Sequence, residues 1–145
     1  MYEHLKLDNQ ICFKLYTASR LIVQAYRPLL EPIGLTYPQY LVMLALWEHD
    51  NLLVGDLCRR LMLDSNTLTP LLQRMEKEGL VIRTRGIADG RQTLVTLTKK
   101  GLHLEEAAKE IPARIAQRLR GESECPEEDA TLVGALDNMI ESLKS

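Results

Sequence analysis

A mainly α-helical fold with one small β-hairpin is predicted by three features of this 145-residue sequence. Apolar residues recur at helical spacing in long stretches at both ends. Three shorter helical stretches follow one another between about residues 37 and 78. Two β-rich runs then enclose a loop rich in glycine and charge. Three helices followed by a hairpin is the order of a winged helix-turn-helix.

The first helix is expected over about residues 9–30. Ile11, Leu15, Ala18, Ile22, Ala25 and Leu29 form a narrow apolar seam, with Asp8 or Asn9 as N-cap. Pro32 and Gly34 close it. A second helix runs from about Tyr37 to His49, Pro38 sitting early where its missing N–H costs little. A short third covers about Val54 to Met62, and Asp64-Ser65 caps a fourth that ends near Glu78-Gly79. Leu80 to Arg85 and Gln92 to Leu97 read as the two strands of the hairpin. Thr98 caps a helix to about Leu119 with a kink expected near Pro112. Residues 120–126 form a loop, and a last helix carries Leu132, Leu136, Met139 and Leu143 in a second seam. The chain reads as one domain over 1–145. Residues 37–97 are the winged helix-turn-helix, and 5–36 with 98–145 supply helices whose seams need another surface. A second copy of the chain, giving a homodimer, is the simplest one.

Hydrophobic residues make up 46% and charged residues 26%, a soluble balance, and the longest apolar run is far short of a membrane span. No signal peptide opens the sequence, so a cytoplasmic protein with no membrane partner is expected. Cys12, Cys58 and Cys125 are widely separated and show no ligand spacing with His4, His49 or His103. Neither a metal nor another cofactor is expected. In a reducing cytosol these thiols rest free, and any disulfide is a regulated event.

The net charge of −2 conceals a division. Residues 73–100 hold seven basic side chains against three acidic, and residues 121–145 hold seven acidic against Lys144 alone. The basic concentration falls where double-stranded DNA would be gripped. In a helix-turn-helix the second helix enters the major groove. Here that helix begins Ser65, Asn66, Thr67, Thr69, Pro70 and continues to Gln73 and Arg74. It offers short hydrogen-bonding groups first, then an amide and a guanidinium. Pro70 requires either a later helix start or a kink. The wing carries Arg83, Arg85 and Arg91, with Arg91 placed to enter a minor groove and Asp89 placed to hold its guanidinium.

Cys12 falls within the first turn of the first helix, where unpaired N–H groups and the helix dipole favour a thiolate. A small core residue is the plainer reading of a cysteine at such a place. Tyr16 shares its face four residues on. Tyr26 and Tyr37 flank the turn after the helix, and a phenol can donate to a thiolate. Tyr26 lies about 21 Å along the helix from Cys12, so only a partner's Tyr26 could reach it. Without further information these tyrosines are better read as ordinary amphipathic interface residues.

Four segments change that balance. Asp8 to Phe13, Tyr26 to Leu30, Leu35 to Leu41 and Leu63 to Leu71 closely resemble the organic-hydroperoxide-sensing repressors of the MarR family, the OhrR type. The resemblance covers roughly residues 5–110. It implies that Cys12 is the peroxide-sensing cysteine, that Tyr26 and Tyr37 hydrogen-bond its thiolate across a dimer interface, and that Tyr16 is a further pocket tyrosine. Some members of the family carry a second, C-terminal cysteine. Cys125 matches it by loop position alone, which implies a resolving role. Cys58 is taken as structural. Asn66 stands where many relatives carry glycine, and Gly90 replaces a commonly acidic wing residue.

The resulting expectation is a homodimeric repressor of a palindromic operator, and not an enzyme. An organic hydroperoxide oxidises Cys12 to a sulfenic acid, and Cys125 of the other subunit condenses with it. The resulting movement spoils the spacing of two recognition helices, about 34 Å, and releases the DNA. The alternative in the same fold is release by a small phenolic or aromatic ligand. A thiol peroxidase is a third reading, and it leaves the wing unexplained.

Overall fold

The computed structural model describes residues 1–86, 90–121 and 126–144. Residues 1–111 and 112–145 form two compact units. In the first, two 3₁₀ turns lead into α1 (Ile11–Leu30), and a third joins it to α2 (Tyr37–Glu48). β1 (Leu52–Leu53), α3 (Val54–Leu61) and α4 (Ser65–Lys77) follow, then β2 (Val81–Arg85), β3 (Thr93–Leu97) and α5 (Lys99–Ala108). α6 (Ile111–Arg120) leads into the second unit, which holds α7 (Pro126–Leu143) and an ion pair between Arg120 and Asp129.

The core of the first unit is built around α2, which is apolar on nearly every side. Tyr40, Val42, Met43, Ala45 and Leu46 are all buried there. A capping box starts this helix. The Thr36 hydroxyl accepts from Gln39 N, and the Gln39 side chain accepts from Thr36 N at 3.1 Å. Leu57 of α3, Leu68, Leu72 and Met75 of α4, and Val81 and Val95 of the sheet are each at most 1% exposed. Burying such a side chain is worth about 1.5–3 kcal/mol, so these inner stripes hold the helix-turn-helix to the wing. The turn between α3 and α4 passes through Met62 at φ 55°, a left-handed position usually given to glycine.

Several boundaries differ from those the sequence predicts. Asp8 and Asn9 do not cap α1. They lie in a 3₁₀ turn, and Gln10 is the N-cap with no side-chain bond to the helix. The reason is competition, because the Asn9 amide donates to Glu3 O and the Gln10 amide to His4 O and Lys6 O. The hairpin is part of a three-stranded antiparallel sheet of order β1-β3-β2, in which Leu52 faces Val95 and Arg83 faces the same residue from the other side. Two residues are too few to show a strand period. The expected long helix after Thr98 stops at Ala108, and a new one begins at Ile111 with Pro112 as its second residue. Pro112 therefore starts a helix instead of kinking one. Pro70 is the sixth residue of α4, which starts at Ser65 as Asp64 directs, so no later start occurs.

Candidate functional site

Asp64 accepts from Thr67 N at 2.9 Å and starts α4. Its burial pattern separates two faces. Leu68, Leu72 and Met75 point inward, whereas Ser65, Asn66, Thr67, Pro70, Gln73 and Arg74 are exposed. Thr69 is half-buried beside a cavity of about 430 Å³. That cavity lies among α3, α4 and the sheet, and Ser65, Arg83 and Arg91 also line it. Sequence reasoning missed Arg59 and Gln92 on its wall, for which no motif gives a signal. Cys58, taken as structural, is half-buried and lines the same cavity.

The wing is tied to α4 by one carboxylate. Glu76 accepts from Arg83 N at 2.7 Å and from its guanidinium at 3.1 and 3.2 Å. These bonds, first the backbone one, hold the Glu76 carboxyl below the usual carboxylate range. Arg83 is thus half-buried and engaged, while Arg85 and Arg91 are exposed. Gly86 N donates to Gln92 O at 2.8 Å and continues the hairpin toward its tip. Asp89 lies outside the described residues, as does Cys125.

On the other side of this unit, Cys12 is the second residue of α1 and is exposed. An amide at that position has no helical acceptor, and the positive end of the dipole is there. Tyr16, one turn on, is 67% exposed. Tyr26 and Tyr37, which the sequence places on either side of a turn, meet with ring centroids 4.7 Å apart. The third ring is Tyr40, which sequence reasoning did not single out. It lies 5.6 Å from Tyr26 and 6.4 Å from Tyr37 and is only 2% exposed. Its signal was its position one turn after Tyr37 in the same segment. Burial, and then the neighbouring Tyr37 and Tyr40, push the Tyr26 hydroxyl up to about 12. Burial also raises Tyr37. These phenols therefore keep their protons across the neutral range and remain donors.

Tyr37 also lines a cavity of about 210 Å³ with Val23, Arg27 and Leu35. Val23 and Arg27 are shared with a shallower hollow of about 360 Å³ along α1 that includes Tyr16. The chemistry available is thus an exposed thiol in one place and converging phenol donors beside a small, largely apolar cavity in another. Among the described residues no group of three or more His, Cys, Asp and Glu could hold a metal ion. No described helix is long and apolar enough to cross a membrane.

Known proteins are similar to this chain in sequence and in fold. Residues 24–107 match the family model for the transcriptional regulator SarA/Rot. The organic hydroperoxide resistance transcriptional regulator of Bacillus subtilis is 44% identical over 98% of this chain and 95% of its own. Reduced AbfR bound to DNA, from Staphylococcus epidermidis, superposes with a TM-score of 0.84 at 39% identity, covering 99% of this chain and 98% of its own. AbfR has also been solved overoxidised on DNA, with a TM-score of 0.82, and with its disulfide formed, at 0.66. AbsC of Streptomyces coelicolor, a MarR family transcriptional regulator, gives 0.82 at 26% identity over 97% of both chains. The chain belongs to the MarR family of winged helix-turn-helix transcriptional regulators, and within it to the organic hydroperoxide resistance type.

Proposed function

We propose that two copies of this chain form a repressor that binds a palindromic operator and leaves it when an organic hydroperoxide oxidises Cys12. One observation carries this reading. The thiol is exposed at the start of α1, whereas the phenols suited to stabilise its anion gather at the far end of the same helix, about 21 Å away. A single chain holds two halves of a site that it cannot close. An antiparallel pairing of two α1 helices closes both at once, with Tyr26 and Tyr37 of one subunit serving Cys12 of the other. The terminal helices, 5–36 and 98–145, form the dimerisation region in this reading.

The reaction runs in two steps. The Cys12 thiolate attacks the terminal oxygen of the hydroperoxide, the O–O bond breaks, and the alkoxide leaves as an alcohol after taking a proton. Cys12 is then a sulfenic acid. The thiolate of Cys125 from the other subunit attacks that sulfur, the S–O bond breaks, and the departing hydroxide takes a proton from solvent to leave as water while the disulfide forms. The disulfide step, more than the first oxidation, is the one that moves the DNA-reading helices. AbfR supports this order, since its overoxidised form sits on DNA and scores 0.82 against this structure, while its disulfide form scores 0.66.

DNA is read by the exposed face of α4, with Ser65, Asn66 and Thr67 toward the bases, Pro70, Gln73 and Arg74 along the groove, and the half-buried Thr69 at the edge of that face. Arg85, Asp89 and Arg91 of the wing serve the adjacent minor groove, and Arg83 holds the wing to α4. The test is a non-reducing gel after one equivalent of organic hydroperoxide, paired with an operator-binding assay. Wild type gives a covalent dimer and loses DNA, whereas Cys12→Ser does neither. Prompt release of DNA by oxidised Cys12→Ser overturns the reading. Cys125→Ser loses the dimer band if Cys125 resolves the sulfenic acid, and keeps it otherwise. The rival, non-covalent release by a phenolic ligand, draws on the 210 Å³ cavity against Tyr37 and predicts release with no change in intact mass.

A further inference from the structure

Tyr26 and Tyr37 reach their common position from different helices, α1 and α2. Tyr37 is fixed by the helix start, since it is the first residue of α2 and lies inside the Thr36–Gln39 capping box. Tyr26 has no such anchor. Its ring rests against Tyr37 and against Tyr40, which stands one turn further along α2. Tyr40 also lies against Tyr37, so its ring packs against both front phenols. The three rings are tilted at 43–45° to one another, with centroids 4.7–6.4 Å apart, within the range at which aromatic pairs attract. The front pair is half-buried, while Tyr40 is 2% exposed. A sulfur arriving from outside therefore meets Tyr26 and Tyr37 and not Tyr40.

From this placement we infer that Tyr40 is a positioning residue for the redox sensor, a buried wedge that sets the spacing and direction of the two phenols that receive the Cys12 thiolate. The inference rests on the phenol–thiolate reading above and adds a residue to it. A phenol held within about 0.5 Å of its productive place donates a full hydrogen bond to the anion, and one free to turn inward does not. Without the wedge, the Tyr26 ring turns into the space Tyr40 occupied.

The experiment measures the rate at which Cys12 of the reduced, operator-binding dimer is oxidised by cumene hydroperoxide at pH 7, followed by intact mass. Tyr40→Leu removes the flat ring and is expected to slow oxidation about tenfold, the scale of one hydrogen bond to a charged group. Tyr40→Phe keeps the ring and restores a rate close to that of wild type. Because Tyr40 acts through its neighbours, Tyr40→Leu adds no further loss in a protein that already carries Tyr26→Phe and Tyr37→Phe. A merely structural defect would slow both backgrounds alike, and that additive result overturns the inference. So does a wild-type rate in Tyr40→Leu alone. A wild-type rate in the doubly substituted Tyr26→Phe, Tyr37→Phe protein instead overturns the phenol–thiolate reading and this inference with it. Should Tyr40→Leu fail to bind the operator, Tyr40→Trp, which overfills the same space, carries the same two expectations.

Discussion

The two sides of the first unit are finished to different degrees. On the side of α4 and the wing, the anchoring groups among the described residues find their partners within one chain. Asp64 caps α4, Leu68, Leu72 and Met75 fill its inner face, and Glu76 holds Arg83 of the wing. On the sensor side, α1 leaves Ile11 at 61%, Tyr16 at 67% and Leu21 at 51% exposure. Its twenty residues include Lys14, Arg20 and Arg27 and not one acid. A helix so exposed and so one-sidedly charged is built to be covered. The fold that carries α4 and the wing is completed within one chain, whereas α1 calls for a second surface, which the proposed dimer supplies.

The contrast is broken most easily at the seam. Leu15 lies in the apolar row of α1 and is 37% exposed. A carboxylate there would be buried between two copies without a partner, at a cost of several kcal/mol. Leu15→Glu is expected to sediment as a monomer and to bind the operator at least about a hundredfold more weakly, since two linked half-sites become two separate ones. Its circular dichroism should stay that of the wild type, because the DNA-reading side does not depend on the seam. A dimer of wild-type operator affinity would remove the distinction drawn between the two sides.

The opposite perturbation strikes the self-sufficient side. Gly101, in the first turn of α5, lies so close to the chain entering β2 that an added Cβ would come within 2.2 Å of Leu80 O, a backbone atom that cannot swing aside. The same residue is pinned from both ends. Its N donates to Thr98 Oγ1 at 3.0 Å, and its carbonyl accepts from Trp47 Nε1 at 2.9 Å. Gly101→Ala should lower thermal stability by about 1–3 kcal/mol, the usual range for overpacking. Below the unfolding transition, Cys12 oxidation should keep its rate. Unchanged stability would mean that α5 slides on the sheet and that the junction is looser than its bonds suggest.

Much of this was legible in the sequence, for reasons that differ by region. Helices with one apolar face and a polar cap, such as α4 behind Asp64, announce themselves by period and by cap. The N-terminal turns did not, because Asn9 and Gln10 spend their side chains on carbonyls behind them, a competition that residue type alone does not decide. β1 escaped notice because two residues carry no alternation, and its pairing to β3 is a tertiary fact. At the candidate site, placement and resemblance single out Cys12, Tyr26 and Tyr37. The position of Tyr40 one turn after Tyr37 is visible in the sequence, but its contact with Tyr26 is not, since that depends on how α1 and α2 pack. Arg83 was read as a DNA contact on its charge, yet its engagement by Glu76 needs two elements brought side by side.

The finest division between the two sides is in their response to pH. Glu76 has its pKa lowered by the Arg83 bonds, so it stabilises the fold fully above the ordinary carboxylate value of 4.5. That contribution is lost as pH falls through the lower folded value. The carboxylate is about a third exposed, which keeps the effect to a fraction of a kcal/mol. Tyr26 behaves in the reverse sense. Its hydroxyl is raised from 10.0 to about 12, so its contribution is complete below 10 and is lost as pH rises through 12. Denaturant unfolding across pH should therefore show Glu76→Gln flattening only the acid limb and Tyr26→Phe only the alkaline one. Between pH 6 and 9 neither variant changes the slope. An acid-limb change in Tyr26→Phe would show that the tyrosine cluster and the wing anchor are coupled, and that the two sides unfold as one.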